Sequence, residues 1–371
     1  MMTKSSGKKY NILHVLTQAG LSTILVAIWI SILNTCAVGD PLIFLLPNFL
    51  LFTPFHHLAT PIWRKIQPTD YLPTSGLQNH KPIPEMHADD YTFESFRELT
   101  GGFLYPAVVR GIFANTTAVK KWAEPGYLTD PNVLGNFEIL VQQRGKEATY
   151  MSLDRQMLKF QDAYGEILEN ENSKSIMFFP FFEDREKVLK DPLVQKMNEL
   201  VKNDLEADRI WKGFGAFETH SSMVGHQFSI SRKKVGTNES STTFDWHTEP
   251  GSNWFAQISG TKFWYFMDAK YSSIMSPNHT AVGIRTLQTS AADMVRDNFD
   301  RLPLKYVALN PGDLLFNPEW VWHLIKKSEG VSFGVAMREF NMTLSLMSSM
   351  HYVGVTGTTH MFKNIKSFLF Q

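Results

Sequence analysis

The chain has almost no cysteine: Cys36 is the only one in 371 residues. That excludes a disulfide framework and any zinc site built on thiolates. It has no net charge either. Its 36 basic and 36 acidic side chains cancel, so nothing favours a polyanionic partner and no nucleic-acid ligand is expected. Charge is missing altogether from Tyr10 to Gly39, where there is no Asp, Glu, Lys or Arg. No internal repeat divides the chain. What it does have is a hydrophobic content of 43%, with 13% aromatics, enough for a substantial core in one large domain or two ordinary ones.

The uncharged N-terminal stretch is dense in Leu, Ile, Val and Trp from Leu21 to Leu33. About 20 such residues can cross a bilayer as a helix with every backbone polar group satisfied internally. Lys4, Lys8 and Lys9 precede the stretch, and the next basic residues are Arg64 and Lys65. The positive-inside rule then places the N-terminus in the cytoplasm and all that follows on the lumenal side. The expected organisation is a cytoplasmic tail (1–14), a transmembrane signal anchor (15–38) and an apolar, Pro-rich linker or arm (39–90). The alternative is a cleaved signal peptide and a secreted or lumenal product. A part with helices and strands (91–210), a β-rich part (211–345) and a C-terminal tail (346–371) complete the chain.

Within 91–210 the patterns predict a helix over 93–99, a strand over 106–111 and a helix capped by Asn115 and ending near Trp122. A strand over 137–142 and a helix from Ser152 through Ile167, with Met157, Phe160 and Tyr164 on one face, come next. They are followed by a strand over 175–182. Asp191-Pro192 opens an amphipathic helix burying Leu193, Met197, Leu200 and Leu205. After Trp211 the pattern changes to short strands divided by turns: 212–217, 224–231, 242–247, 253–258, 262–267, 304–309, 313–317 and 331–340. The loop 268–303, with a helix over 290–299, is placed at a substrate entrance. The expected class is mainly β with flanking helices, a jelly roll buttressed by N-terminal helices.

His247 and Glu249 stand two residues apart in Phe244-Asp-Trp-His-Thr-Glu-Pro250, and His323 closes the run Asn310-Pro-Gly-Asp-Leu-Leu-Phe-Asn-Pro-Glu-Trp-Val-Trp-His323. Along a strand, residues i and i+2 share a face, so His247 and Glu249 can aim into one cavity. Two imidazoles and one carboxylate on one side of a metal leave open positions on the other, the arrangement of non-haem Fe(II) oxygenases. A His-x-acid triplet alone is weak: with 12 histidines and 36 acids, about one arises by chance. His87-Ala-Asp89 is such a decoy, in the Pro-rich arm with no strand expected around it. The first frame gains weight from its sequel, in which Asn253, Gln257, Gly260 and Lys262 form a strand–turn–strand unit. Lys262 among Phe263, Trp264, Tyr265 and Phe266 is costly to bury without an anion. The competing reading is a lysine whose head reaches solvent.

Taken together, residues 211–340 resemble the JmjC/cupin-like family of Fe(II)- and 2-oxoglutarate-dependent oxygenases, whose core is a double-stranded β-helix. The spacing of His247, Asn253, Gln257, Gly260 and Lys262 is similar to the asparaginyl-hydroxylase branch. Trp246-His-Thr-Glu249 and Lys262-Phe-Trp-Tyr265 look more like the lysyl-demethylase branch. Upstream, Pro106-Ala-Val-Val-Arg-Gly111 and Val119-Lys-Lys-Trp122 resemble the opening of cupin-like hydroxylase domains, so the likeness spans roughly residues 100–340. It implies that His247, Glu249 and His323 ligate Fe(II), that Lys262 holds the distal carboxylate of 2-oxoglutarate, and that Asn253 assists. The chain departs from the asparaginyl hydroxylases in Glu249 for Asp and Phe244 for Thr. Where a later strand carries Asn in those enzymes, this chain offers Ala336 or Arg338. Arg338 either reinforces anion binding or faces solvent.

The resemblance implies O2-dependent hydroxylation of a protein or peptide side chain, with 2-oxoglutarate decarboxylated to succinate. Phe255, Trp264 and Phe316 are expected to line a dry cavity. N-methyl-lysine demethylation is the alternative within the enzymes. A catalytically silent, membrane-tethered binding module is the alternative outside them.

Overall fold

The structure, a computed structural model, is described over residues 80–143, 154–173, 175–179, 190–211, 222–236, 242–249, 251–268, 275, 277–279, 287–289 and 292–340. All of these fall in one compact unit, Thr69–Ser348. The expected membrane anchor (15–38), the tails and the expected strand 212–217 lie outside the described residues. Among the described residues, no helix is long and apolar enough to cross a membrane.

Strands β1 (Lys81–Pro82), β2 (Glu85–His87), β3 (Ala107–Arg110), β4 (Glu138–Gln143), β5 (Asp154–Lys159) and β6 (Ser175–Phe179) come first. Next are β7 (Ser222–Lys233), β8 (Thr242–Thr248), β9 (Ser252–Ser259), β10 (Lys262–Met267), β11 (Pro277–His279) and β12 (Leu287–Thr289). The last are β13 (Lys305–Leu309), β14 (Leu314–Asn317), β15 (Trp322–Lys327) and β16 (Gly330–Phe340). A seven-stranded sheet runs β1-β13-β10-β15-β8-β12-β11, and a nine-stranded sheet runs β2-β3-β14-β9-β16-β7-β6-β4-β5. The fold is mainly β, with short helices: α1 (Phe93–Leu99), α2 (Thr117–Lys121), α3 (Phe160–Glu169), α4 (Pro192–Asn203), α5 (Asp208–Trp211) and α6 (Ala292–Asp297).

The two sheets face each other across an interior where Val108, Phe255, Leu315 and Ala336 of one meet Trp264, Phe266, Val307 and Ile325 of the other. The nine-stranded sheet buries its second face too, against the helical side. There Phe96, Trp254 and Phe316 pack together, with ring centroids 5.3 Å (Phe96–Trp254) and 4.6 Å (Trp254–Phe316) apart. This explains why β9 is buried along nearly its whole length, whereas β10 alternates, with Phe263 exposed. Phe316 therefore lines the helical side and not the interior cavity expected for it. The interior rings are Phe255 and Trp264.

Helix α4 starts where Asp191-Pro192 predicts: the Asp191 side chain accepts from the Leu193 N–H (2.8 Å). It buries Leu193, Val194, Met197, Leu200 and Val201, each worth roughly 1.5–3 kcal/mol. Helix α2 is capped by Thr116, whose hydroxyl accepts from Val119 N, and not by Asn115. The helix expected through 152–167 is a strand followed by a helix. Residues 154–159 pair antiparallel with β4 (Leu140 opposite Met157), Met157 is exposed, and only α3 is helical. The arm near His87 is also more ordered than expected, since β2 pairs in parallel with β3, although His87 itself is exposed.

Candidate metal centre

Strand β15, which turn and pattern signals did not announce, brings the two frames together. It lies between β8 and β10 and places His323 opposite His247 on one side and Phe266 on the other. The imidazole centroids of His247 and His323 are 4.1 Å apart, and Trp264 stacks on His323 at 5.6 Å. The approach to β15 is held firmly. Gly312 adopts φ 92°, and a Cβ there would meet the Ala114 backbone at 2.7 Å, so only glycine fits the turn. Asp313 accepts from Gly111 N (3.0 Å), Asn310 N (3.0 Å) and the Arg110 guanidinium (2.7 Å). Trp320 takes a left-handed φ of 60°, uncommon for a bulky residue, and its N–H donates to the Glu249 carbonyl (2.8 Å). That bond ties the loop bearing His323 to the one bearing Glu249.

His323 is 2% exposed. Burial, the neighbouring His247 and the Arg338 charge hold its pKa well below the ordinary imidazole value, against the opposing pull of its bond to Val321. The ring is therefore neutral at physiological pH. Its Nδ1 lies 3.0 Å from the Val321 carbonyl, which can only accept, so Nδ1 carries the proton and Nε2 keeps its lone pair. A backbone carbonyl on one nitrogen, leaving the other as donor, is the usual setting of a metal-ligating histidine.

Glu249 lies one residue past the end of β8, and its Oε2 forms an ion pair with Arg338 of β16. Oε1 is buried with no hydrogen-bond partner among the described residues. Arg338 also donates to Gln227 (2.6 Å), so its part-buried head is held between Glu249 and Gln227. Among the described residues, no group of three His, Cys, Asp or Glu side chains converges as a metal site. The donor chemistry nonetheless fits a divalent metal: a neutral imidazole with a free lone pair, a second imidazole beside it, and a carboxylate with one oxygen held by Arg338 and one unengaged.

Lys262 is 1% exposed, which removes the reading of a lysine reaching solvent. Its Nζ donates to Ser229 Oγ (3.1 Å) and sits 4.7 Å from the centre of the Phe255 ring. No carboxylate among the described residues pairs with it, and burial pushes its pKa down to about 7. Gly260 lets the chain turn into β10 with φ 67°, and a Cβ there would meet the Val331 carbonyl oxygen at 2.3 Å. Asn253 is buried on the same interior face, flanked in register by Asn317 of β14 and Arg338 of β16, with its Oδ1 unpartnered among the described residues.

Sequence reasoning singled out His247, Glu249, His323, Lys262, Asn253 and Arg338. The structure pairs the two histidines and joins Glu249 to Arg338. Asn317, whose side-chain amide lies 3.3 Å from His323 Nδ1, was missed. Its position six residues before His323 gave no pattern to single it out. No curated protein matches the chain. The cupin-like domain, of the JmjC type, matches residues 103–344, well over half of the sequence, and the chain belongs to that family.

Proposed function

We propose that the protein is an Fe(II)- and 2-oxoglutarate-dependent oxygenase that hydroxylates a side chain of a protein substrate. One observation carries this reading: two juxtaposed imidazoles, one of them fixed in a metal-ready tautomer, share an interior with a buried ammonium that has no carboxylate partner among the described residues. A structural core has no use for that combination, because an uncompensated buried charge is destabilising. An anionic co-substrate gives it one.

His247, His323 and Glu249 would hold the iron, which, when bound, supplies O2 activation coupled to decarboxylation of 2-oxoglutarate. The chain's own residues do the rest. Arg338 orients the Glu249 carboxylate through Oε2 and leaves Oε1 to bind. Val321 and Trp264 fix the ring of His323 from its edge and its face. Lys262 draws the distal carboxylate of 2-oxoglutarate into the interior, and Asn253 offers its amide beside Arg338. Phe255, Trp264 and Phe266 exclude water, which strengthens each of these polar contacts.

The test is succinate formation by the full chain with Fe(II), 2-oxoglutarate and ascorbate. The expected result is slow substrate-independent turnover, abolished by His323→Ala and by His247→Ala. Turnover that persists in both variants would refute the assignment. Formaldehyde released from methyl-lysine peptides would make the activity demethylation, and binding of metal without turnover would make the domain a binding module.

A further inference from the structure

Gln227 of β7 is buried, at 7% exposure, and the proposed chemistry gives it no role. In register it stands opposite Ala336 of β16, two residues along that strand from Arg338. Ala336 belongs to the interior between the two sheets. Directly opposite residues of an antiparallel pair share a face, as do residues i and i+2 of one strand, so Gln227 and Arg338 both face that interior.

Oε1 of Gln227 accepts from Nε of Arg338 at 2.6 Å, and Nη1 of the same guanidinium pairs with Oε2 of Glu249. The guanidinium is one rigid plane, so a bond at Nε fixes the direction in which Nη1 points. Gln227 thereby acts on Glu249 through Arg338. Glu249 needs such a hold, because it stands just past the end of β8. A glutamate side chain has several rotatable bonds, and a carboxylate can take a cation through one oxygen or through both. Arg338 is itself a long side chain whose methylenes can follow the carboxylate as it moves. The fixed end is Gln227, on a strand that lies between β6 and β16.

We propose that Gln227 is a positioning residue of the metal centre. It holds the Arg338 guanidinium in the orientation that pins Oε2 of Glu249 and presents Oε1 to a divalent metal. The proposal rests on the reading of His247, Glu249 and His323 as metal ligands, and on no part of the co-substrate chemistry. The plainer role, a buried amide that only satisfies an arginine, predicts a loss of stability and no change at the metal.

The experiment is calorimetric titration of the full chain with Mn(II), with the paramagnetic resonance spectrum of the bound ion, for the wild type, Gln227→Leu and Gln227→Glu. Circular-dichroism melts report folding separately. Leucine removes the acceptor, and glutamate restores an oxygen at the same reach. Gln227→Leu is expected to bind Mn(II) about tenfold more weakly, with an altered spectrum, and Gln227→Glu to stay within about threefold of the wild type. A folded Gln227→Leu variant with wild-type affinity and spectrum overturns the proposal and leaves the metal assignment standing. An equal loss in Gln227→Glu overturns it too, because the acceptor oxygen would then not be what matters. Wild type that binds no Mn(II) overturns the metal assignment and the positioning role together. Metal binding that depends on Gln227, in a chain without 2-oxoglutarate turnover, upholds the positioning role while the oxygenase reading falls. If Gln227→Leu does not fold, proton exchange in the wild type decides. The Nε–H of Arg338 should then exchange at least about tenfold more slowly than that of the exposed Arg296, and equal rates overturn the proposal.

Discussion

Lys262 has a pKa near 7 because the ammonium has lost its water and gained only a hydroxyl and the face of a ring. A fall from 10.5 to about 7 corresponds to a cost on the order of 5 kcal/mol for keeping the charge inside. The sign of its pH dependence follows. Between about 7 and 10.5 the unfolded chain binds this proton and the folded chain does not, so ligand-free stability rises with pH across that window. Below about 7 both states are protonated and the full cost remains. On the proposed reading anion binding runs the other way, because the carboxylate would pair with the ammonium. The apparent affinity for 2-oxoglutarate is expected to weaken by up to about tenfold per pH unit above 7 in the wild type. Titrations at pH 6.5, 7.5 and 8.5 check this: the slope should vanish in Lys262→Arg, whose guanidinium does not titrate there, and a flat wild-type profile would refute it.

The candidate metal residues stood out in the sequence because a His-x-Glu frame and a distant Pro-Gly-Asp…His frame each carry their own turn chemistry, and of the three the structure sets His247 beside His323. Residues whose meaning depends on the partner strand did not. Gln227 reads as one polar residue of a strand until β16 is laid beside it, and Asn317 reads as a turn residue until His323 is placed against it. The Glu249–Arg338 pair joins positions 89 residues apart, and no local pattern links them.

At the scale of elements, period was a good guide wherever one face was buried. Helix α1 occupies the interval 93–99, and β10 the interval 262–267, that alternation and capping predicted. The guide failed where a strand runs straight into a helix. Met157, Phe160 and Tyr164 have helical spacing, yet Met157 belongs to the sheet-edge strand β5 and projects outward, while Phe160 and Tyr164 open α3. It failed again at β15, whose aromatic approach (Trp320, Val321, Trp322) is buried continuously and so shows no alternation. The β9–β10 turn makes a sharp prediction. Gly260→Ala combines a left-handed φ with a Cβ driven into the Val331 carbonyl, at a combined cost of at least about 2 kcal/mol. Thermal melts should show a fall of about 4 °C or more, and an unchanged midpoint would mean that the turn does not pin β10.

At the scale of the whole molecule, the division of labour follows from the two sheets. The central strands of the nine-stranded sheet are buried on both faces, against helices outside and the second sheet inside, and carry Asn253 and Arg338. The seven-stranded sheet brings His247, His323 and Lys262 on three neighbouring strands. The cupin-like match, residues 103–344, spans both sheets and includes all of these residues. Jelly-roll architecture was readable from the succession of short strands. That the first strands, β2 to β6, extend the nine-stranded sheet was not, because their pairing is with distant segments such as β14 and β7.

The most direct test of the central claim is an anomalous-difference map from crystals of the full chain grown with Mn(II) as a stand-in for Fe(II). The account predicts a single strong peak within bonding distance of Nε2 of His323, of the imidazole of His247 and of Oε1 of Glu249, with Arg338 still on Oε2. A map with no peak between those side chains, or with the metal held elsewhere while His323 Nε2 remains unligated, would contradict it.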